Sequence, residues 1–302
     1  MTADISLKTS TDMRVVSSGL PRTNDQHMTV GDLVSRMNAL YSPADAEPWD
    51  KTGLLVGDMN ALLERVCVTL DVTLDAIRET AKQGAQVLLT HHPAYLSLDT
   101  ITADPRNSVP GAYVYEAASL GVNLVNYHTA LDSSLDAQSM LPSMIHAQFE
   151  QVLVPIRARD EKTGKVKGYG QICAFAPDDM QTLSMLSARC VSVFGRLPRI
   201  WDGNSGEYFT RVATWTGSCD MEAVDRCLDE HVPVLICGEI KYHTALEAKQ
   251  KGLTVIELGH DVSENPYGLV LARAARECGV PAEAISLIQT DAHWFNPETR
   301  RV

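Results

Sequence analysis

The chain has 302 residues, 45% of them hydrophobic and 21% charged, and 26 Lys and Arg stand against 38 Asp and Glu for a formal charge of −12. That acidic excess repels a phosphate backbone and an anionic bilayer alike, which argues against nucleic acid and against a membrane surface as partners. The length exceeds what one hydrophobic core usually fills, and the apolar content suffices for real burial, so two lobes are expected.

Residues 1–28 mix Thr, Ser, Asp, Lys and Asn without periodicity and read as a flexible N-terminal extension. They lack the apolar centre of a secretory signal, and no run of 18 apolar residues occurs further on, so a cytoplasmic location is expected. Order begins at Thr29, which can cap a helix whose apolar positions Val30, Leu33, Val34, Met37 and Leu40 keep helical spacing. A loop punctuated by Pro43, Pro48, Gly53 and Gly57 follows.

Alternation then sets in. Residues 66–70 form a β-branched apolar run of strand length, 73–83 a helix closed by Gly84, 86–90 a strand, 113–120 a helix closed by Gly121, and 122–127 a third strand. Strand, helix, strand in this rhythm predicts right-handed crossovers and a parallel sheet. Between about 150 and 230 the pattern changes, with strands at 151–156, 169–176 and 209–215 and a helix at 182–194. The earlier rhythm resumes with strands at 232–237 and 254–258 and helices at 240–251 and 267–278. The expected fold is therefore α/β with two lobes, each a sheet flanked by helices, the second inserted into the first. Its parts would be a metal-binding α/β domain from 29–149 plus 231–302 and an inserted α+β lobe at 150–230.

The seven cysteines are odd in number, include no C-x-x-C pair and mostly sit in apolar runs such as Arg65-Val66-Cys67-Val68. They read as reduced core residues.

The metal-capable side chains fall at predicted strand ends. His91 and His92 follow the second strand, His128 and Asp132 the third, and His260 and Glu264 the strand ending at Leu258. In open α/β sheets the crevice beyond the carboxyl ends is where ligands bind. His260 and Glu264 are four apart at the start of a helix and so share one face, able to hold one metal across a turn. The neighbours His91 and His92 point apart, which suits two ions better than one. With Asp132 they make a mixed nitrogen and oxygen set in which a carboxylate can bridge two divalent ions, Zn, Fe or Mn. Asp71 also ends a strand and can orient a ligating imidazole. Glu239 and His243, four apart where another strand gives way to a helix, join His128 as candidates for proton transfer. Trp49 and Tyr242 are candidates for lining the pocket, though large aromatics in such places also serve plain packing. No phosphate-binding loop, dinucleotide fingerprint or G-x-S-x-G elbow is present.

Five segments carry a family resemblance: Pro48 to Gly57, Leu89-Thr90-His91-His92-Pro93, Tyr127-His128-Thr129-Ala130-Leu131-Asp132, Cys237 to His243, and Gly259-His260-Asp261-Val262-Ser263-Glu264. In this order they resemble the NIF-three-like family of dinuclear-metal hexameric proteins, often labelled type 2 GTP cyclohydrolase I. The chain departs from the family pattern at Lys51, where Asn is usual, and at Cys219, where Gly is usual. The resemblance implies metal ligation by His91, His92, Asp132, His260 and Glu264 with the glutamate bridging, His128 close by, and a toroidal homohexamer with sites facing an internal cavity. It also implies a metal-dependent hydrolase, with GTP or another nucleotide as substrate and ring opening by activated water as the reaction. A metal-storage or regulatory hexamer without turnover, and a dinuclear phosphoesterase, are the alternatives that the same ligands would serve.

Overall fold

A computed structural model describes residues 27–289. The expected N-terminal extension lies outside the described residues except for His27 and Met28, of which Met28 packs against the first core. Thr29 opens α1 (Val30–Leu40) with a reciprocal cap. The Asp32 N–H donates to the Thr29 hydroxyl at 3.1 Å and the Thr29 N–H donates to the Asp32 carboxylate at 2.9 Å. Each bond satisfies a donor that the helix start leaves unpaired.

The chain continues through β1 (Gly53–Val56), β2 (Val66–Thr69), α2 (Leu74–Lys82), β3 (Val87–Thr90), α3 (Val109–Leu120), β4 (Asn123–Asn126), α4 (Thr129–Asp132) and α5 (Leu135–Met144). Next come β5 (Gln148–Arg159), β6 (Val166–Ala174), α6 (Leu183–Phe194), β7 (Arg199–Trp201), β8 (Arg211–Cys219), α7 (Met221–Asp229), β9 (Val234–Ile240), α8 (Tyr242–Gln250) and β10 (Thr254–Glu257). The last elements are α9 (His260–Glu264), α10 (Tyr267–Glu277) and β11 (Ile285–Leu287).

Two mixed sheets result. The first has the order β1-β4-β3-β2-β11, with β4, β3, β2 and β11 parallel and β1 antiparallel at one edge. The second has the order β5-β6-β8-β9-β10-β7, with β8, β9 and β10 parallel and the other pairings antiparallel. Because residues from 148 to 257 build the second sheet and β11 returns to the first, the second is inserted into the first in sequence.

The sheet boundary differs from the one expected at 230/231. β9 pairs with β8 and β10 with β9, so residues 234–257 share a sheet with 148–219, and only α10 and β11 rejoin the first. The strand and helix rhythm is the same in both sheets, and rhythm alone does not say which sheet a strand enters. The helix expected to start at His260 is α9, whereas β1, β7, β11, α4, α5 and α7 carry no expectation from the sequence, most of them being too short to show a period.

Both sheets are covered on both faces, which is why their central strands carry buried apolar residues on both sides. In the first, Val66, Val68, Val87, Leu89 and Val125 face α1 and α10, whereas Cys67, Leu88 and Leu124 face α2 and α3. In the second, Ala213, Leu235, Cys237 and Val255 point one way and Val212, Val234, Ile236 and Ile256 the other. That is the period-two alternation of a strand. All seven cysteines are buried free thiols. No helix among the described residues is long and apolar enough to cross a membrane.

Candidate metal centre

The carboxyl ends of β3, β4 and β10 converge on one centre. His91 and His92 leave β3, His128 precedes α4 and Asp132 ends it, and His260 and Glu264 are the first and last residues of α9. The sequence reading placed all three groups at the edge of a single sheet. The structure corrects this: β3 and β4 belong to the first sheet and β10 to the second, so the centre lies where the two meet.

Four imidazoles are anchored in the same sense. Nδ1 of His91 lies 3.1 Å from the Tyr127 carbonyl oxygen, and Nδ1 of His92 lies 2.7 Å from Asp71 Oδ1. Nδ1 of His128 lies 3.0 Å from Asp50 Oδ1, and Nδ1 of His260 lies 3.0 Å from Glu239 Oε2. A carbonyl or carboxylate at Nδ1 fixes the proton there and leaves the Nε2 lone pair for a metal.

The Nε2 atoms meet the carboxylates at the centre. His92 Nε2 and His260 Nε2 lie 3.0 and 3.1 Å from Glu264 Oε2. His91 Nε2 lies 3.8 Å from Glu264 Oε1 and 3.6 Å from Asp132 Oδ1. One oxygen of Glu264 therefore serves each group. Ligand atoms around a tetrahedral ion with bonds of about 2.1 Å stand about 3.4 Å apart, and these separations bracket that value. Three overlapping sets could each hold an ion: His92, His260 and Glu264; His91, Asp132 and Glu264; His91, His92 and His128.

Buried polar atoms test whether a cation fits. His91 Nε2, Asp132 Oδ1 and Glu264 Oε2 are all buried without a hydrogen-bond partner, the last despite the two nearby imidazoles. Each buried orphan costs about 1–3 kcal/mol. One divalent ion beside Glu264 Oε2 and a second beside His91 Nε2 and Asp132 Oδ1 would satisfy all three, so the donor set fits a metal centre.

Backbone and neighbouring side chains hold this geometry. At Gly217 in β8, φ is +63° and a Cβ would collide with Glu264 Oε1, so the glycine lets the carboxylate lie against the chain. The Ser263 hydroxyl accepts from the Gly217 N–H at 2.9 Å and donates to the His260 carbonyl at 2.8 Å, which ties α9 to β8. Arg196 grips Asp261 with two bonds, 2.6 and 2.9 Å, from the other side. The Tyr267 ring lies 4.5 Å from that of His91, with its hydroxyl 2.9 Å from Thr216 Oγ1.

The local field favours ionised carboxylate at Glu264. Burial opposes it, but His260, His91 and His92 outweigh burial and hold the group well below its usual value. Burial likewise opposes a charged His92, yet Asp71 and Glu264 push it up to about 10. Glu264, against the cost of burial, raises His260 to about 9. Burial raises Asp132. At Asp50, burial is overcome by the bonds from His128 and Thr129, and its value falls.

A cavity of about 510 Å³ opens onto the centre, with His128, Asp132, His260 and Glu264 in its wall. Trp49 also lines it, whereas Tyr242 does not. His243 is exposed on α8, its ring 5.3 Å from that of Tyr242, and it is not among the side chains gathered at the centre. Sequence reasoning gave no role to Asp50, Ser263, Tyr267, Tyr169 or Trp215. Several of their partners lie far along the chain, as with Asp50 and His128, 78 residues apart, which no local spacing announces.

Known proteins resemble this chain in sequence and fold. The profile of the Duf34/NIF3 (NGG1p interacting factor 3) family matches residues 28–291. A Clostridium acetobutylicum protein named GTP cyclohydrolase 1 type 2 homolog is 25% identical over 229 residues, 75% of this chain and 82% of its own. A Clostridium perfringens protein of the same name is 23% identical over 83% of this chain and 92% of its own. Staphylococcus aureus protein SA1388 superposes with a TM-score of 0.77 at 21% identity, covering 90% of this chain and 99% of that one. A Bacillus cereus protein related to NIF3 gives 0.77 at 16%, covering 88% and 98%. With nearly its whole described length inside that profile, the chain belongs to the Duf34/NIF3 family.

Proposed function

We propose that this protein is a metal-dependent hydrolase holding two divalent ions, Zn, Fe or Mn, per chain. The observation that carries the proposal is the common anchoring of four imidazoles at Nδ1, with three orphaned ligand atoms where their Nε2 atoms converge. His92, His260 and Glu264 would hold one ion, and His91, Asp132 and Glu264 the other, with Glu264 between them. Ions held there supply Lewis acidity and a nucleophile at neutral pH.

The residues of the chain supply the rest. Glu264 is kept ionised by its histidines and is always ready as a ligand. His128 stands in the cavity wall, held by Asp50, and is placed to take a proton from water and return it to a leaving atom. Glu239 holds His260 from the outer side rather than facing the reacting atoms. The name carried by the relatives supports GTP as the substrate, and the family resemblance favours opening of the guanine imidazole ring as the reaction. Buried, free cysteines favour the reducing cytoplasm as its location, and the family resemblance favours a toroidal hexamer.

The test is turnover. Protein loaded with Zn, Fe or Mn is assayed against GTP and a panel of phosphoesters beside Glu264→Ala and His92→Ala. Metal-dependent turnover that both variants abolish supports the reading, and GTP or phosphoester consumption decides between the two hydrolase chemistries. Tight binding of two ions without turnover on any substrate would leave storage or regulation as the function.

A further inference from the structure

Two neighbouring residues of β8 reach the centre. Gly217 leaves room for Glu264, and Thr216 meets Tyr267, the first residue of α10. Tyr267 is wholly buried, so its hydroxyl must find its partners inside the protein. Thr216 Oγ1, 2.9 Å away, is one of them. The Asp132 carboxylate is the other group it faces: burial raises Asp132, and the Tyr267 hydroxyl is among the groups that oppose that rise.

The direction of these two contacts follows from the chemistry of the groups. An ionised carboxylate only accepts, and a phenol has a single proton to give. With that proton directed at Asp132, the Thr216 hydroxyl is left to donate to the phenol oxygen. Thr216, Tyr267 and Asp132 then form one chain, which starts in the cavity wall at Thr216 and ends on a candidate ligand. The ring of Tyr267 adds a second contact. It lies 4.5 Å from the ring of His91, at 35° between planes, beside an imidazole whose Nδ1 already meets the Tyr127 carbonyl. His91 Nε2 and Asp132 Oδ1 are two of the orphaned atoms and lie 3.6 Å apart. One side chain thus reaches both, whereas His92 and His260 are held by Asp71 and Glu239.

We infer that Tyr267 is a positioning residue for one of the two ions: its hydroxyl, oriented by Thr216, donates to Asp132 while its ring holds His91, so that both ligands point at the same ion. The inference rests on the reading of His91, Asp132 and Glu264 as a metal site and is independent of the substrate. Partners that orient a ligand from its outer side typically carry 10–100-fold in metal affinity.

Tyr267→Phe keeps a ring beside His91 and removes only the donor. Zn binding to the chelator-treated full-length protein is measured by calorimetry, and anomalous diffraction from crystals soaked at limiting Zn locates each ion. In Tyr267→Phe the ion among His91, Asp132 and Glu264 should bind about tenfold or more weaker and lose occupancy, while the ion among His92, His260 and Glu264 keeps its own. Thr216→Val should weaken the same ion by a smaller factor, and Thr216→Ser should restore it. Thermal unfolding of the metal-free variants checks that they fold, and Thr216→Val against Thr216→Ser carries the test should Tyr267→Phe not. A loss shared equally by both ions, or no loss, overturns the inference. A parent that takes up no ion beside Asp132 overturns it together with the two-ion reading. The expected binding order without turnover on any substrate sinks only the hydrolase reading, and metal-dependent turnover with unchanged ion affinity in the variants sinks only the inference.

Discussion

Glu264 lies against the backbone of Gly217, in space that the Cβ of any other residue would claim. Gly217→Ala should therefore act twice. A non-glycine residue at φ +63° costs about 1–2 kcal/mol of stability, and the displaced carboxylate costs metal affinity beyond that. Thermal unfolding of the metal-free variant reads the first effect and calorimetric titration with Zn the second. A variant that loses stability yet binds metal as the parent does would show that the approach of Glu264 is incidental.

Asp71 touches His92 at Nδ1 and stands outside the proposed ligand set. Removing such an orienting carboxylate typically costs 10–100-fold in metal affinity, and Asp71→Ala should fall in about that range. Competition with a chromophoric chelator measures it. Unchanged affinity would mean that His92 is oriented by packing alone.

The metal-free protein should also carry a pH signature. His92 rises to about 10 in the folded state, above an unfolded value of about 6.5. Its contribution to stability is then fully present below about pH 6.5 and disappears as pH rises through about 10. Because a ligating imidazole must be neutral, metal uptake within that window should expel protons. Titrations in buffers of different ionisation enthalpy count them, and zero release at pH 8 would contradict the charged state assigned to His92.

Stability and metal binding should separate in the core. Leu271 on α10 is fully buried in the core of the first sheet and is not among the side chains that could hold a metal. Leu271→Ala should cost about 2–5 kcal/mol in denaturant unfolding while the folded protein keeps its metal stoichiometry.

Much of this was legible from residue order because the relevant signals are local. Thr29, Thr73 and Thr182 cap the helices they were expected to open, and Gly121 closes its helix in the left-handed conformation. The apolar runs at 66–70, 86–90 and 122–127 became β2, β3 and β4 because each is flanked by a cap or a glycine. His91, His92, Asp132, His260 and Glu264 stood out through their placement at strand ends, a signal that needs no tertiary knowledge.

Which sheet the strands after residue 231 join was not legible, for a physical reason. β9 pairs with β8 and β10 with β9 through backbone hydrogen bonds, which carry no mark in the sequence. The anchors of the site were hidden in the same way. Asp50 reaches His128 and Gly217 reaches Glu264 only after folding closes long loops.

Occupancy of the centre by two ions is the most direct thing to measure. Crystals grown with Mn or Zn and measured at the metal absorption edge should show two anomalous peaks per chain, one among His92, His260 and Glu264 and one among His91, Asp132 and Glu264. No peak within reach of Glu264, with elemental analysis finding no metal in the native protein, would contradict it.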